Sequence, residues 1–98
     1  MARIVWAPRA LRDLEDLIAH IARDAPVAAR RFAQKVVGRV ELLSTHPWSG
    51  ALVPEDASET YREVRQGAYR ILYRTDGQTV YIVGVHHAER LLDAGDLG

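Results

Sequence analysis

Apolar and polar residues alternate through much of the second half of the chain, which is typical of β-strands with one buried face. The alternation spans residues 68–87 (AYRILYRTDGQTVYIVGVHH) and is interrupted at Asp76-Gly77. An Asp-Gly pair between two strands favours a two-residue type I′ turn, because both central residues of that turn need a positive φ. This segment is therefore predicted to form a β-hairpin.

A two-residue turn fixes which residues of the hairpin lie opposite each other. The predicted pairs on one face are Tyr73 with Val80, Ile71 with Ile82, and Tyr69 with Gly84. The opposite face carries a second set of side chains, namely Arg70, Leu72, Arg74, Tyr81, Val83, Val85 and His87. Gln66-Gly67 predicts a further hairpin that joins residues 61–64 to the same sheet, and the facing of that strand stays open.

The first half of the chain has the spacing of helices. Residues 4–6 form a short apolar run that ends before Pro8 and predicts a brief strand at or near a sheet edge. Apolar residues then recur at intervals of three and four over residues 8–23 and again from Pro26 to about residue 45. Proline suits the first turn of each helix. On the first helix, Arg9 with Asp13 and Arg12 with Asp16 have i,i+4 spacing, which predicts ion pairs on a solvated face.

These elements predict an α+β fold, in which an antiparallel helical hairpin packs on one face of a three- to four-stranded, mainly antiparallel sheet. Residues 46–60 read as a loop, with Trp48 packed over the edge of the core. The helices are expected to cover Ile71, Tyr73, Val80 and Ile82. Leu72, Tyr81, Val83 and Val85 would then remain uncovered for a partner, unless the C-terminal tail or the 46–60 loop folds over them.

Composition and charge limit the classes of function. The chain has 98 residues, so we expect one domain spanning residues 1–98. It has no cysteine and no apolar run long enough for a membrane helix, which fits a cytoplasmic protein with no membrane contact. Its formal net charge is zero, so any contact with nucleic acid has to be local, and no sequence-specific binding by the protein alone is expected. No cofactor and no metal site are predicted.

Three segments in order resemble the RelE/ParE superfamily of toxins from type II toxin–antitoxin systems, most closely its ParE-like branch. They are VWAPRALRDLEDLIAHIARDAPVAARRF, ELLSTHPWSGALVP and YREVRQGAYRILYRTDGQTVYIVGVHHAER. The resemblance implies a RelE/ParE-like fold and a cognate antitoxin, whose acidic C-terminal segment lies across an apolar groove of the toxin. The implied antitoxin-binding residues are Leu72, Tyr81, Val83 and Val85, with Arg70 and Arg74 pairing with antitoxin carboxylates.

The resemblance implies two different targets. A ParE-like toxin inhibits DNA gyrase and is not an enzyme, and this is the favoured interpretation. A RelE-like toxin cuts mRNA on the ribosome, and Arg62 and Arg70 match basic positions of that branch. Val64 or Glu63 stands where that branch has lysines, however, and the C-terminal HHAERLLDAGDLG has no tyrosine. Glu63 is expected to neutralise Arg70. An inactive relative that only binds antitoxin is the third interpretation.

His86, His87 and Arg90 are a weaker catalytic candidate at the end of the last strand. Imidazoles titrate near neutral pH and can exchange protons with RNA. Neighbouring strand residues point to opposite faces, however, so the two histidines cannot share one proton-transfer geometry or one metal ion without a bulge. These three residues are predicted to contact the target instead.

Overall fold

The computed structural model describes residues 1–97 and has two helices packed on a five-stranded sheet. The helices are α1 (Pro8–Ala22) and α2 (Pro26–Thr45). The strands are β1 (Arg3–Trp6), β2 (Ala51–Leu52), β3 (Arg62–Gln66), β4 (Tyr69–Thr75) and β5 (Thr79–His87), and a 3-10 turn (Ala94–Asp96) follows. The predicted fold class is confirmed, with five strands instead of three to four.

The strands lie in the order β1-β5-β4-β3-β2, so β1 and β2 form the two edges. β1 pairs in parallel with β5, and the other neighbours are antiparallel. β2 lies within the segment predicted to be a loop. It has two residues, Ala51 and Leu52, which pair with Glu63 and Arg62, and so short a strand has no alternation that could reveal it. Within residues 1–97, no helix has the length and apolarity to cross a membrane.

The predicted register of the β4–β5 hairpin is wrong. The side chain of Asp76 accepts hydrogen bonds from the N–H groups of Gln78 and Thr79, both at 2.8 Å, which closes a turn wider than two residues. Tyr73 therefore pairs with Ile82 instead of Val80. A bulge between Leu72 and Tyr73 then shifts the pairing by one more residue.

The bulge changes which face the end of β5 presents. Beyond it, Leu72 pairs with Gly84, Ile71 with Val85 and Tyr69 with His87. Because opposite residues of an antiparallel pair share a face, Val85 and His87 lie on the helix face with Ile71 and Tyr69. The sequence-based assignment of Val85 and His87 to the opposite face is therefore wrong, since it assumed an unbroken ladder.

The helix face of the sheet forms the main core, as predicted. Ile71, Tyr73, Val80 and Ile82 are each 0% exposed. The other buried residues of this cluster are Ala2, Ala10, Leu14, Val36, Val40, Leu43 and Val64. The apolar face of the helical hairpin thus covers the set that the sequence assigned to it.

The opposite face, called the outer face below, is also covered, contrary to the favoured expectation. Leu72 is 0% exposed and Val83 is 8% exposed. Both lie in a second cluster with Val53 from the 46–60 loop and with Leu92 and Leu97 from the tail. Val53, Leu92 and Leu97 are enough to cover this patch, because the bulge turns Val85 to the helix face. The apolar patch on the outer face is therefore smaller than the sequence suggested.

Candidate functional site

The loop before β3 is fixed at both ends, and this positions an acidic residue over the sheet. The buried hydroxyl of Tyr73 donates to the carbonyl of Pro47 and accepts from the N–H of Gly50, both at 2.8 Å. Farther along, the carboxylate of Asp56 accepts hydrogen bonds from the N–H groups of Ser58, Thr60 and Tyr61. Glu55 lies between these anchors and reaches the outer face.

Arg70, on β4, is the central cation of the outer face and is 3% exposed. Its Nη2 lies 2.6 Å from Oε2 of Glu63, and its Nε donates to the same oxygen at 3.1 Å. Nη1 and Nη2 each donate to one oxygen of Glu55 at 2.8 Å, which makes a bidentate pair. The expected neutralisation of Arg70 by Glu63 is confirmed, and Glu55 adds a second carboxylate.

The pKa values at this site change in the directions that such a pairing requires. Hydrogen bonding to Arg70 lowers the pKa of Glu55 from 4.5 to about 2, against the opposing effect of burial. Hydrogen bonding to Glu55 is also the main cause that raises the pKa of Arg70. Glu55 and Glu63 therefore occupy the guanidinium of Arg70, so Arg70 is not free to pair with a partner's carboxylates.

Arg62, the other candidate for RNA chemistry, does not join Arg70. It pairs with Tyr73 in the sheet, whereas Arg70 pairs with Arg65, so the two arginines lie on opposite faces. Arg62 donates to the carbonyls of Gly50 at 2.8 Å and Trp48 at 3.2 Å. Its guanidinium carbon lies 5.3 Å from the ring centre of Trp48. The structure thus separates two residues that a RelE-like site would use together.

The predicted packing of Trp48 over the edge of the core is wrong. Its side chain is 54% exposed. Its ring lies beside the β4–β5 turn, where a Cβ added to Gly77 would be 3.4 Å from Nε1 of Trp48. The indole therefore covers Arg62 and the turn but fills no part of the core.

His86 is a buried link between α1 and the tail and does not face a target. It is 7% exposed, with Nδ1 2.7 Å from Nη1 of Arg90 and Nε2 3.7 Å from Oδ2 of Asp13. Arginine can only donate, so Nδ1 accepts and the proton lies on Nε2, which has no hydrogen-bond partner among residues 1–97. Burial lowers the pKa of His86, and Asp13 opposes this only in part.

The three residues predicted to contact a target therefore have different roles. Arg90 is exposed and pairs with Asp96 at 2.8 Å, which holds the tail. His87 is exposed on the other face, with its ring centre 5.5 Å from that of Tyr69. A shared contact surface that includes His86 is ruled out by the burial of its side chain.

The acidic residues of α1 also differ from expectation. Asp13 accepts a hydrogen bond from the N–H of Val85 at 3.1 Å, beside His86, and Arg9 donates to the carbonyls of Gly95 and Asp96. Among residues 1–97, neither Arg9 with Asp13 nor Arg12 with Asp16 forms an ion pair. The predicted pair of Arg9 with Asp13 is wrong because the tail binds the arginine and the backbone of β5 binds the aspartate, whereas Arg12 and Asp16 are exposed and unpaired among residues 1–97.

An open groove lies where the start of α2 meets the β3–β4 turn, and it has a volume of about 660 Å³. Its apolar lining includes Val27, which is 57% exposed, and the rings of Phe32 and Tyr69, whose centres are 4.9 Å apart and whose planes are tilted by 59°. Arg31 and Lys35 also line it. We call this surface the α2 groove. No local sequence pattern reveals the α2 groove, because its lining comes from two distant segments.

Residues 4–92 match the model of the ParE toxin of the type II toxin–antitoxin system parDE. The chain belongs to this ParE toxin family. The Toxin RelE2 of Caulobacter vibrioides is 37% identical over 92 residues, which cover 93% of this chain and all of that protein. The family is shown by a match over most of the chain, so this protein is a toxin of the type II toxin–antitoxin class.

Solved structures share the fold of this ParE-family toxin. A chain of the chromosomal ParDE system from P. aeruginosa has a TM-score of 0.77 at 22% identity, and the match covers 91% of this chain and 98% of that one. A chain of the RelBE2 toxin–antitoxin complex from Mycobacterium tuberculosis has a TM-score of 0.66 at 29% identity, covering 88% and 96%. The fold is therefore common to proteins named after both branches of the superfamily.

Proposed function

We propose that this ParE-family toxin inhibits a DNA topoisomerase, DNA gyrase, without cleaving RNA, and that a cognate antitoxin neutralises it. The toxin would act in the cytoplasm, where gyrase meets the chromosome. The choice of gyrase over RNA as the target rests on one observation: Glu55 and Glu63 neutralise the charge of Arg70 on the outer face.

RNA cleavage through a 2′-hydroxyl builds negative charge on the phosphate. A catalyst stabilises that charge with cations that are not already paired with other anions. Arg70 is held by two carboxylates, so its charge is already paired and is not available to stabilise a phosphate. Leu92 and Leu97 also cover the adjoining patch around Leu72 and Val83. These features argue against a RelE-like centre at this position.

The α2 groove is the surface that we propose for the antitoxin. Its open apolar lining suits the apolar face of an amphipathic segment, and Arg31 and Lys35 suit acidic residues flanking that face. The outer face that the sequence analysis assigned to the antitoxin is covered by the toxin's own tail and loop. Leu72 and Val83 are accessible to a partner only if that cover is displaced, so the groove is the surface that an antitoxin meets first.

Expression of the toxin without its antitoxin separates the possible targets. A gyrase inhibitor is expected to induce a DNA-damage reporter and to make cells filament, while amino-acid incorporation continues at early times. Cells that also express the antitoxin are the control and should grow normally. An immediate stop of translation, with messages cut at the ribosomal A site, would contradict the proposal in favour of the endonuclease. Unaffected growth would contradict it in favour of an inactive antitoxin-binding relative.

A further inference from the structure

A second concave site lies on the far side of the molecule from the α2 groove, and the two share no lining residue. It has a volume of about 410 Å³ and lies between the start of α1, the outer face of the sheet and the tail. Arg9 and Arg12 come from α1, Arg74 comes from β4, and Tyr61, Val83 and Leu97 complete the wall. We call this site the arginine pocket.

The positive charge in the arginine pocket is only partly compensated by residues 1–97, through electrostatic interactions of Arg74 with Asp76 and of Arg9 with Asp96. No carboxylate side chain lines the pocket among these residues. Arg12 and Arg74 are exposed and form no ion pair with any residue from 1 to 97. The guanidinium carbon of Arg74 lies 4.0 Å from the ring centre of Tyr81, which holds that side chain in place.

The pocket is also preorganised on its α1 side. Arg9 donates to the carbonyls of Gly95 and Asp96, so its position is fixed without loss of its charge. The first turn of α1 has no acidic residue, and its backbone adds further positive potential to that of the two arginines. Three arginines line this one pocket, so an anion that binds in it lowers the repulsion among their charges.

We propose that the arginine pocket binds a backbone phosphate of DNA. Arginine forks pair with phosphate oxygens in two-point contacts, and a phosphate offers more oxygens than a single carboxylate does to cations that approach from different elements. Phosphate contacts carry no sequence information, and a single local contact agrees with a chain of zero formal net charge. The identity of the DNA rests on the proposed function: it is the DNA that the topoisomerase holds.

The pocket would let the toxin contact the DNA backbone at one place without contacting the bases. Few phosphates are contacted, so affinity for free DNA is weak and falls with salt by a shallow slope. This contact becomes strong when the topoisomerase binds both toxin and DNA, because the contact between pocket and DNA then forms within one complex.

The test is fluorescence anisotropy of a labelled DNA duplex titrated with toxin over a series of salt concentrations. The pocket variant is Arg12→Glu/Arg74→Glu, since neither side chain holds the fold through an ion pair. The control variant is Arg23→Glu/Arg30→Glu, which makes the same charge change at exposed arginines outside the pocket. The pocket variant is expected to lose about tenfold more affinity than the control. Its affinity should also depend less on salt, with a slope of log affinity against log salt that is smaller in magnitude by about one to two.

Equal losses in the two variants, or no measurable binding of the unmodified toxin at low salt, would overturn the inference. A pocket variant that keeps DNA binding but loses antitoxin affinity would also overturn it, because the pocket would then be a carboxylate site of the partner. Gyrase inhibition by the unmodified toxin is measured separately. If that inhibition is absent while DNA binding depends on the pocket, the phosphate site stands and the proposed function fails.

Discussion

Arg70 and Glu63 face each other diagonally across β3 and β4, with Nη2 of the arginine 2.6 Å from Oε2 of the glutamate. Both side chains are almost fully buried, at 4% and 9% exposure. The acid that compensates the arginine is therefore part of the sheet itself and is not a mobile surface group. An arginine held in this way serves the fold, and this is the basis of the choice against RNA chemistry.

The first prediction concerns the stability that this pair provides. Glu63→Gln leaves Arg70 buried with one carboxylate fewer, and we expect the free energy of unfolding to fall by about 2 to 3 kcal/mol. The control is Arg65→Gln, which removes a partner of Glu63 that is 60% exposed and lies at 3.4 Å, and it should cost less than about 1 kcal/mol. Urea unfolding of both variants measures the difference. Equal losses would show that the buried pair has no special weight.

The second prediction is a loss of stability in acid that depends on Glu55. Its pKa is lowered from 4.5 to about 2 in the folded state. A carboxyl group with a depressed pKa stabilises the fold above its unfolded value, and this contribution is lost as the pH falls through the folded value. The free energy of unfolding should therefore decrease between pH 4.5 and about 2. Glu55→Gln should decrease less steeply than the unmodified protein.

Other acids also contribute to that acid dependence, so the control has to be matched. Glu59→Gln changes an exposed residue of the same loop and should keep the unmodified slope. Parallel curves for the Glu55 variant and the unmodified protein would contradict the assignment of the lowered pKa to the Arg70 pair.

The third prediction reverses an expectation based on the sequence. If the outer face were open, Leu72→Asp would leave the domain folded. Leu72 is 0% exposed beneath the tail and the 46–60 loop, so an unpaired carboxylate there should unfold the protein. Leu91→Asp, at a tail residue that is 85% exposed, should have no effect. Circular dichroism and thermal melting distinguish the two, and a native-like melting temperature for Leu72→Asp would mean that the cover is loose.

The fourth prediction locates the antitoxin. Val27 and Leu42 are both on α2 and are 57% and 56% exposed, but only Val27 lines the α2 groove. Val27→Asp should weaken binding of the antitoxin at least about tenfold, which corresponds to about 1.4 kcal/mol. Leu42→Asp should bind as the unmodified toxin does. Calorimetry with the cognate antitoxin measures both affinities, and equal affinities would place the antitoxin elsewhere.

The elements that the sequence predicted well are those with a local signal. Pro8 and Pro26 lie at the starts of α1 and α2, and the three-and-four spacing of apolar residues follows each helix. Alternation around the turn identified β4 and β5 and the face that the helices cover. These signals lie within a few residues of the structure that they determine, so periodicity alone reveals them.

The features that sequence reasoning missed depend on residues far apart in the chain. The bulge next to Leu72 shifts the strand pairing by one residue. The apolar stretch from Val80 to Val85 gives no sign of it, because the same sequence pattern fits a strand with or without a bulge. Leu92 and Leu97 lie in a tail without periodicity, so their packing on Leu72 leaves no local trace.

The candidate site shows the same division. The Glu63–Arg70 pair was expected from the family resemblance, and the hairpin of β3 and β4 brings the two residues together although the sequence left the facing of β3 open. Glu55 reaches Arg70 across a long loop, and Asp13 reaches β5 from a helix near the other end of the chain. No spacing rule links such residues, and only the folded chain brings them together.

The most direct test of the proposed target is a supercoiling assay with purified toxin, DNA gyrase and relaxed plasmid, run beside a cleavage assay on ribosomes with a bound message. We expect the toxin to block supercoiling, equimolar antitoxin to restore it, and the message to stay intact. Normal supercoiling together with a cut message would exclude gyrase as the target and identify an endonuclease.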